Sequence, residues 1–104
     1  MDLSQVSLWS ESSASGGSAG ATVTHAAETG KQFFVTSISG HTDADSVVEI
    51  KSGTTCMWET KVDVSVEGFS FSFNVEAVPI VPGTLTTGSV SAGTSRINIT
   101  GFTV

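Results

Sequence analysis

The chain has 104 residues, ten of them acidic and four basic, so its formal net charge at neutral pH is −6. A chain of this length forms one domain, and a negative charge without any cluster of Lys or Arg argues against nucleic-acid binding. No apolar stretch reaches the length of a membrane span, and the first residues lack the basic start and apolar centre of a signal peptide, so we expect a protein that is made in the cytoplasm and does not enter membranes.

The first 21 residues are predicted to form an extended arm that precedes the folded body. A short piece with some apolar side chains is followed by the run SESSASGGSAGA, whose composition is typical of a linker. Such a run buries too little surface to offset the entropy lost on ordering, so the arm is expected to gain order only from a neighbour. The predicted partner-binding residues of the arm are Leu3, Val6, Leu8 and Trp9. We expect Trp9 in a partner's pocket, with packing on its own chain as the alternative.

Residues 22–104 carry the pattern of an all-β domain. Ser and Thr are abundant, and short alternating segments follow one another with turn residues between them. This pattern predicts an antiparallel β-sandwich, jelly-roll-like, with about seven to eight strands behind the extended N-terminal arm. The predicted strands are residues 22–28, 32–39, 46–51, 55–63, 68–75, 85–91 and 95–103. The prolines in VPIVPG (78–83) cannot donate ladder hydrogen bonds, so a crossing loop or a sheet edge is expected there.

Two rows of alternate residues are expected to face the core. The row in the 68–75 strand has three phenylalanines, which makes that strand the expected centre of the core. Its members are Phe69, Phe71, Phe73 and Val75. The row in the 55–63 strand is Cys56, Trp58, Thr60 and Val62. Here Cys56 is predicted to be a buried small hydrophobe, and Trp58 to pack in the core rather than serve as a sugar-stacking platform. Ile97 and Ile99 are expected to close the core.

Few residues are candidates for chemistry. His41, Asp43 and Asp45 alternate in the loop GHTDADS (40–46) and could converge on a cation. They lack the Gly and distant Glu of an EF-hand loop and the four ligands of a zinc site, so a solvated turn with Asx-type hydrogen bonds is the favoured interpretation. His25 has only Glu28 near it in sequence, and no catalytic constellation is evident. We therefore predict no enzyme activity, no metal and no cofactor.

Five short motifs together resemble a known family. They are residues 30–33 (GKQF), 47–53 (VVEIKSG), 58–59 (WE), 68–71 (GFSF) and 97–102 (INITGF). In residues 30–104 the chain resembles the small β-sandwich virion proteins of tailed bacteriophages, of the capsid decoration or cement type. The resemblance implies a jelly-roll-like domain grouped in trimers on the outer capsid surface of the virion, bound to the major capsid protein. It implies no catalytic or cofactor residues.

The leading hypothesis is therefore a non-enzymatic capsid decoration protein. Its body would self-associate, and residues 1–21 would tie it to the shell, since a terminal arm is suited to clamping across subunit seams. The alternative is a recognition module, either tail- or fibre-associated or carbohydrate-binding, in which the loops at 40–46 and 78–83 meet a glycan. An enzyme is the weakest of the three hypotheses, because two His and one Cys without a dense polar cluster offer little from which to build a site.

Overall fold

The computed structural model describes residues 7–15, 19–63, 68–73 and 76–104, and these form nine strands. The strands are β1 (Ser7–Ala14), β2 (Ala21–His25), β3 (Phe33–Thr42), β4 (Ser46–Ser52), β5 (Thr55–Val62), β6 (Gly68–Ser72), β7 (Val78–Pro79), β8 (Thr86–Val90) and β9 (Ser95–Thr103). All seven predicted strands are found, with ends shifted by a few residues. The described residues contain no helix with the length and hydropathy that a membrane span requires.

The strands form two antiparallel sheets packed face to face. The first sheet has the order β1-β9-β3-β6, with β7 also paired to β3, and the second has the order β2-β8-β4-β5. The predicted all-β sandwich is therefore confirmed, with nine strands described rather than seven to eight. The pairing of Val78 and Pro79 with Val35 and Phe34 places part of the VPIVPG segment at a sheet edge, one of the two alternatives expected for it.

The core lies between the central strands of the two sheets. Alternate residues of β3, β4 and β9 point inward, as the period of two requires, and their apolar side chains are almost completely buried. The fully buried apolar side chains are Phe33, Val35, Ile38, Val48, Ile50, Ile80, Val90, Ile97 and Ile99. The expectation that Ile97 and Ile99 close the core is confirmed.

The phenylalanine strand is not the centre of this core, which corrects the sequence prediction. Phe69, Phe71 and Phe73 do point inward, but only Phe69 is buried, whereas Phe71 and Phe73 are partly buried. Val75 lies outside the described residues. The reason is the place of β6, which is an edge strand with a neighbour on one side only, so its side chains are covered by fewer strands.

Cys56 is exposed, contrary to the prediction that it is buried. The register of β4 with β5 shifts so that Ile50 lies opposite Trp58 while Lys51 lies opposite Cys56, which leaves Met57 as the extra residue of a β-bulge. The bulge turns Cys56 to the outer face with Lys51. Trp58 keeps its predicted inward direction and packs, partly buried, against the rings of Phe71 and Phe73.

The N-terminal segment contributes a strand to the first sheet. From Ser7 to Ala14, every residue of β1 pairs with β9, so this part of the predicted arm is a component of the sandwich. A strand forms because the edge of β9 offers backbone partners that an isolated Ser-rich chain cannot supply for itself. Leu3 and Val6 lie outside the described residues.

Candidate functional site

We call the outer surface of the first sheet the front face. It carries four rows of side chains, each of which crosses β1, β9 and β3 and ends on β6 or β7. Antiparallel partners stand side by side, and alternate residues point the same way, so each row is defined by the pairing register. The apolar row is Leu8, Phe102, Phe34 and Pro79. The two hydroxyl rows are Ser10, Thr100, Ser37, Ser72 and Ser12, Asn98, Ser39, Ser70. The basic row is Ala14, Arg96, His41 and Gly68.

The apolar row presents aromatic and aliphatic surface to solvent. The rings of Phe34 and Phe102 are stacked, with centroids 5.0 Å apart and planes 13° from parallel, and each ring is half-buried. Leu8 beside them is 82% exposed, and Pro79 at the other end is also exposed. Exposed apolar side chains in contact with one another, rather than scattered singly, mark an interaction surface.

A β-bulge next to the apolar row concentrates three hydroxyl groups. The register of β3 with β9 shifts between Val35 and Ser37, so Thr36 and Ser37 both lie beside Thr100. The Oγ1 atoms of Thr36 and Thr100 are 3.0 Å apart, and the Ser37 hydroxyl also hydrogen-bonds to Thr100. Bulges are enriched at binding sites because they redirect side chains in this way.

A shallow depression of about 410 Å³ joins the hydroxyl cluster to the apolar row. It is lined by Leu8, Trp9, Ser10, Thr36, Thr100 and Gly101. Gly101 is required there because a Cβ at this position would collide with the Phe34 carbonyl oxygen on one side and with the Trp9 ring on the other. Small-molecule sites are concave and mostly apolar with a few placed polar groups, and this depression has that composition.

The Trp9 ring packs beneath the front face, on its own sandwich. The ring stacks on His25 at 4.0 Å with planes 6° apart, and it contacts Phe33 edge-on. Glu11 Oε2 lies 2.9 Å from His25 Nδ1, which connects β1 of the first sheet to β2 of the second. Trp9 therefore packs on its own chain, which is the alternative given in the sequence analysis, and not the expected packing in a partner's pocket. For Leu8, whose side chain is exposed, contact with a partner stays a prediction.

The outer surface of the second sheet, which we call the back face, is charged. Glu49, Lys51, Glu59 and Lys61 project from β4 and β5, and Glu49 lies 3.8 Å from Lys51. Ligand atoms of Glu49, Cys56 and Glu59 lie within 4.8 Å of one another. Partial desolvation together with these two carboxylates raises the pKa of the Cys56 thiol, so the group favours the protonated thiol, which is a weak nucleophile and a weak metal ligand.

The loop residues singled out in the sequence do not assemble into a cation site. Asp43 Oδ1 accepts a hydrogen bond of 2.8 Å from the backbone N–H of Thr94, as a turn residue does, and His41 points to the front face. Within the described ranges, the one group of three potential ligands is that of Cys56, and it includes none of the loop residues. His25 pairs with Glu11 rather than with Glu28.

Sequence reasoning missed the residues of the front face. Phe34, Thr36, Asn98, Thr100 and Phe102 all lie in predicted strands, but none of them was predicted from the sequence to be a binding residue. A row of sites across several strands depends on which strands are neighbours and in which register they pair. The alternation of Asn98, Thr100 and Phe102 in the last strand gives no signal of such a row, because single apolar side chains are common on protein surfaces and only contiguous patches mark a binding site.

Comparisons with known proteins place the fold but not a family. No protein-family model matches the chain, and no curated protein matches it in sequence. Among solved structures, the chain is similar to the C-terminal CBM6, a carbohydrate-binding module, of LamC, a marine laminarinase from Zobellia galactanivorans. The TM-score is 0.51 at 14% sequence identity, covering 96% of this chain and 100% of that chain. The two proteins share a β-sandwich fold.

Proposed function

We propose that this protein is a non-enzymatic carbohydrate-recognition module that binds a glycan on its front face. The observation that carries the proposal is the apolar row of stacked Phe34 and Phe102 beside the hydroxyl cluster of Thr36, Ser37 and Thr100. The likeness of the fold to a carbohydrate-binding module supports the same class of function.

The chemistry of a sugar matches the two kinds of surface on this face. A pyranose ring has patches of C–H groups, which pack on aromatic and aliphatic surface, and aromatic rings attract the weakly positive hydrogens of such groups through their negative faces. Its hydroxyls both donate and accept, and so do the hydroxyls of Ser and Thr and the amide of Asn98. A sugar that crosses from the apolar row to the hydroxyl rows would satisfy both requirements at once.

The front face has the size of a short oligosaccharide. Alternate residues along a strand are about 7 Å apart and strands about 4.8 Å apart, so four rows on four strands span roughly 20 by 14 Å. The depression of about 410 Å³ beside Ser10 and Thr100 would seat one sugar unit, while the rest of the oligosaccharide would run along the strands and cross the other rows in turn.

The described strands present hydroxyl, amide and basic groups on the front face but no carboxylate. Glycoside hydrolysis uses a pair of carboxyl groups on either side of the scissile bond. The His25–Glu11 pair lies between the sheets, on the other side of β1 from this face. The proposal is therefore one of binding without cleavage.

The test is glycan binding by the purified chain, first on a glycan array and then by calorimetry with the best ligand. Phe102→Ala is expected to weaken binding by more than about ten-fold, because about 1.5–3 kcal/mol of apolar contact is lost. Met57→Ala on the back-face side, also a partly exposed apolar residue, is the matched control and should leave affinity unchanged. A thermal melt confirms that both variants fold. Failure of every glycan to bind, or full affinity in Phe102→Ala, would refute the proposal.

A second candidate function, phage capsid decoration, is favoured by Leu8. This side chain is 82% exposed on β1, an edge strand of the first sheet, as an anchor to a partner protein would be. In this proposal the chain is a trimeric component of the outer virion surface and its apolar row packs on the major capsid protein.

Co-sedimentation of the purified chain with undecorated phage heads tests the capsid proposal. The Leu8→Asp variant should no longer sediment with heads. Equal sedimentation of the variant, or none by the unaltered chain, would argue against it.

A further inference from the structure

The basic row stands at the end of the front face opposite the apolar row. Arg96 on β9 and His41 on β3 face each other directly in the register, and both side chains are exposed. Directly opposite residues of an antiparallel pair have Cβ atoms about 5 Å apart, so one small group can reach both side chains. Arg96 is the one arginine in a chain with four basic residues.

The Arg96 guanidinium has the chemistry of an anion receptor. A guanidinium is a cation that presents parallel N–H donors, and these match the two oxygens of a carboxylate or a sulfate. In the part of the chain that the structure describes, no carboxylate forms an ion pair with it, whereas Lys51 on the back face has Glu49 at 3.8 Å. His41 adds a ring nitrogen that can donate to the same anion.

The net negative charge of the protein does not prevent an anion from binding at Arg96 and His41, because the acidic side chains that the structure describes lie elsewhere. The back-face carboxylates of Glu49 and Glu59 lie on the outer side of the second sheet, beyond a core about 10 Å thick, so they are too far away to contact an anion bound at Arg96. The carboxylate nearest to His41 along the described strand end, that of Asp43, is turned to the N–H of Thr94. The described positions of the front face itself contain no acidic residue.

From this arrangement we infer that the glycan bound by the front face is acidic, with a carboxylate or sulfate group received by Arg96 and His41 at the basic row. The inference rests on the proposed function and specifies its ligand class. A sugar chain would lie along the strands, its C–H surface on Phe34 and Phe102, its hydroxyls on the two hydroxyl rows, and its anionic group about 20 Å away at the basic row.

Matched ligands isolate the anionic group. Calorimetry compares an oligogalacturonate with its neutral methyl ester, and a sulfated galactan with its desulfated form. The unaltered protein is expected to bind at least one acidic ligand about ten-fold or more tighter than its neutral counterpart, since a hydrogen bond to a charged group contributes that much. Arg96→Gln should remove this preference without changing affinity for the neutral ligand. Arg96→Lys should keep part of it, and Lys61→Gln on the back face should keep all of it.

The outcomes separate this inference from the proposed function. Equal affinity for charged and neutral ligands, or an acidic preference that survives Arg96→Gln, overturns the inference while glycan binding stands. If only one of the two ligand pairs shows the preference for the acidic form, that pair tells whether the site receives a carboxylate or a sulfate. Absence of binding to all four ligands and to every glycan of the array overturns both.

Discussion

The front and back faces of the sandwich arise from the same alternation of side chains, yet they differ in chemistry. The front face places Phe34 and Phe102 beside hydroxyl groups and carries its two basic groups at one end. The back face carries Glu49 and Glu59 opposite each other, with Lys51 two residues further along β4 and Lys61 two residues further along β5. Charged side chains keep a sheet face in water, whereas a face that exposes aromatic rings beside hydroxyl groups is suited to a ligand. In a small β-sandwich, a binding surface therefore depends on which outward side chains the strand pairing places next to one another.

The largest expected effect comes from removing β1, because this strand pairs with β9 along its whole length and also contacts the second sheet through Trp9 and Glu11. Deleting residues 2–14 takes away an eight-residue ladder with β9, the Trp9 ring and the Glu11 link to His25. We expect the free energy of unfolding to fall by roughly 5 kcal/mol or more, which is a large part of the stability of a domain this size. Urea denaturation monitored by tryptophan fluorescence measures this free energy in the full chain and in the deletion variant. A variant as stable as the full chain would show that the N-terminal segment is a separate arm after all.

A smaller loss of stability is expected when a larger side chain replaces Gly101 at the floor of the front-face depression. Gly101→Val places methyl groups where the Phe34 carbonyl and the Trp9 ring already lie, and overpacking of this kind costs about 1–3 kcal/mol. Gly68→Ala on the same face is the control, since its new Cβ would lie 3.6 Å from the nearest described atom, an ordinary contact. A fall in the melting temperature for the first variant alone is the expected result, and similar melting temperatures would contradict the crowding at Gly101.

A smaller effect is expected from removing a single hydroxyl group, either from the front face or from the back face. Thr100→Val keeps the shape of the side chain but removes the acceptor and donor shared by Thr36 and Ser37, at a cost of about 1 kcal/mol in stability. Glycan affinity is expected to fall about five-fold, measured by calorimetry. Thr87→Val, the same change at an outward position of β8, should not alter binding. Equal effects of both variants would mean that the hydroxyl cluster has no special part in recognition.

The smallest effect concerns the back face and the reactivity of its thiol. Desolvation, and after it the charges of Glu49 and Glu59, raise the pKa of the Cys56 thiol, so less thiolate is present at a given pH than for an unperturbed cysteine. Alkylation at pH 8 is therefore expected to be slower than for a cysteine in an unstructured peptide. The rate should rise toward higher pH and should increase in Glu59→Gln. A rate that Glu59→Gln leaves unchanged would remove that carboxylate from the explanation.

The strands themselves were predictable, as the 95–103 segment illustrates. In SRINITGFT the residues Ile97 and Ile99 alternate with polar ones, and both are fully buried. Cys56 was placed on the wrong face because a bulge adds one residue and reverses the direction of every side chain beyond it. No local feature of the 55–63 segment signals that bulge. The SLWSESSA segment was not predicted as a strand, since its residues form one only where β9 offers a free edge.

What the amino-acid order alone determined is therefore the alternation: which segments are extended, which residues of most strands point inward, and that a single small β domain results. These are local properties, since each depends on neighbours two residues away. Which strands are neighbours, and in which register they pair, depends on the whole fold. The fold therefore creates the rows that join Leu8, Phe102 and Phe34 from distant parts of the chain. Register is set by many weak contacts across the whole sheet, and a candidate binding site composed of such rows exists only once the sheet has formed.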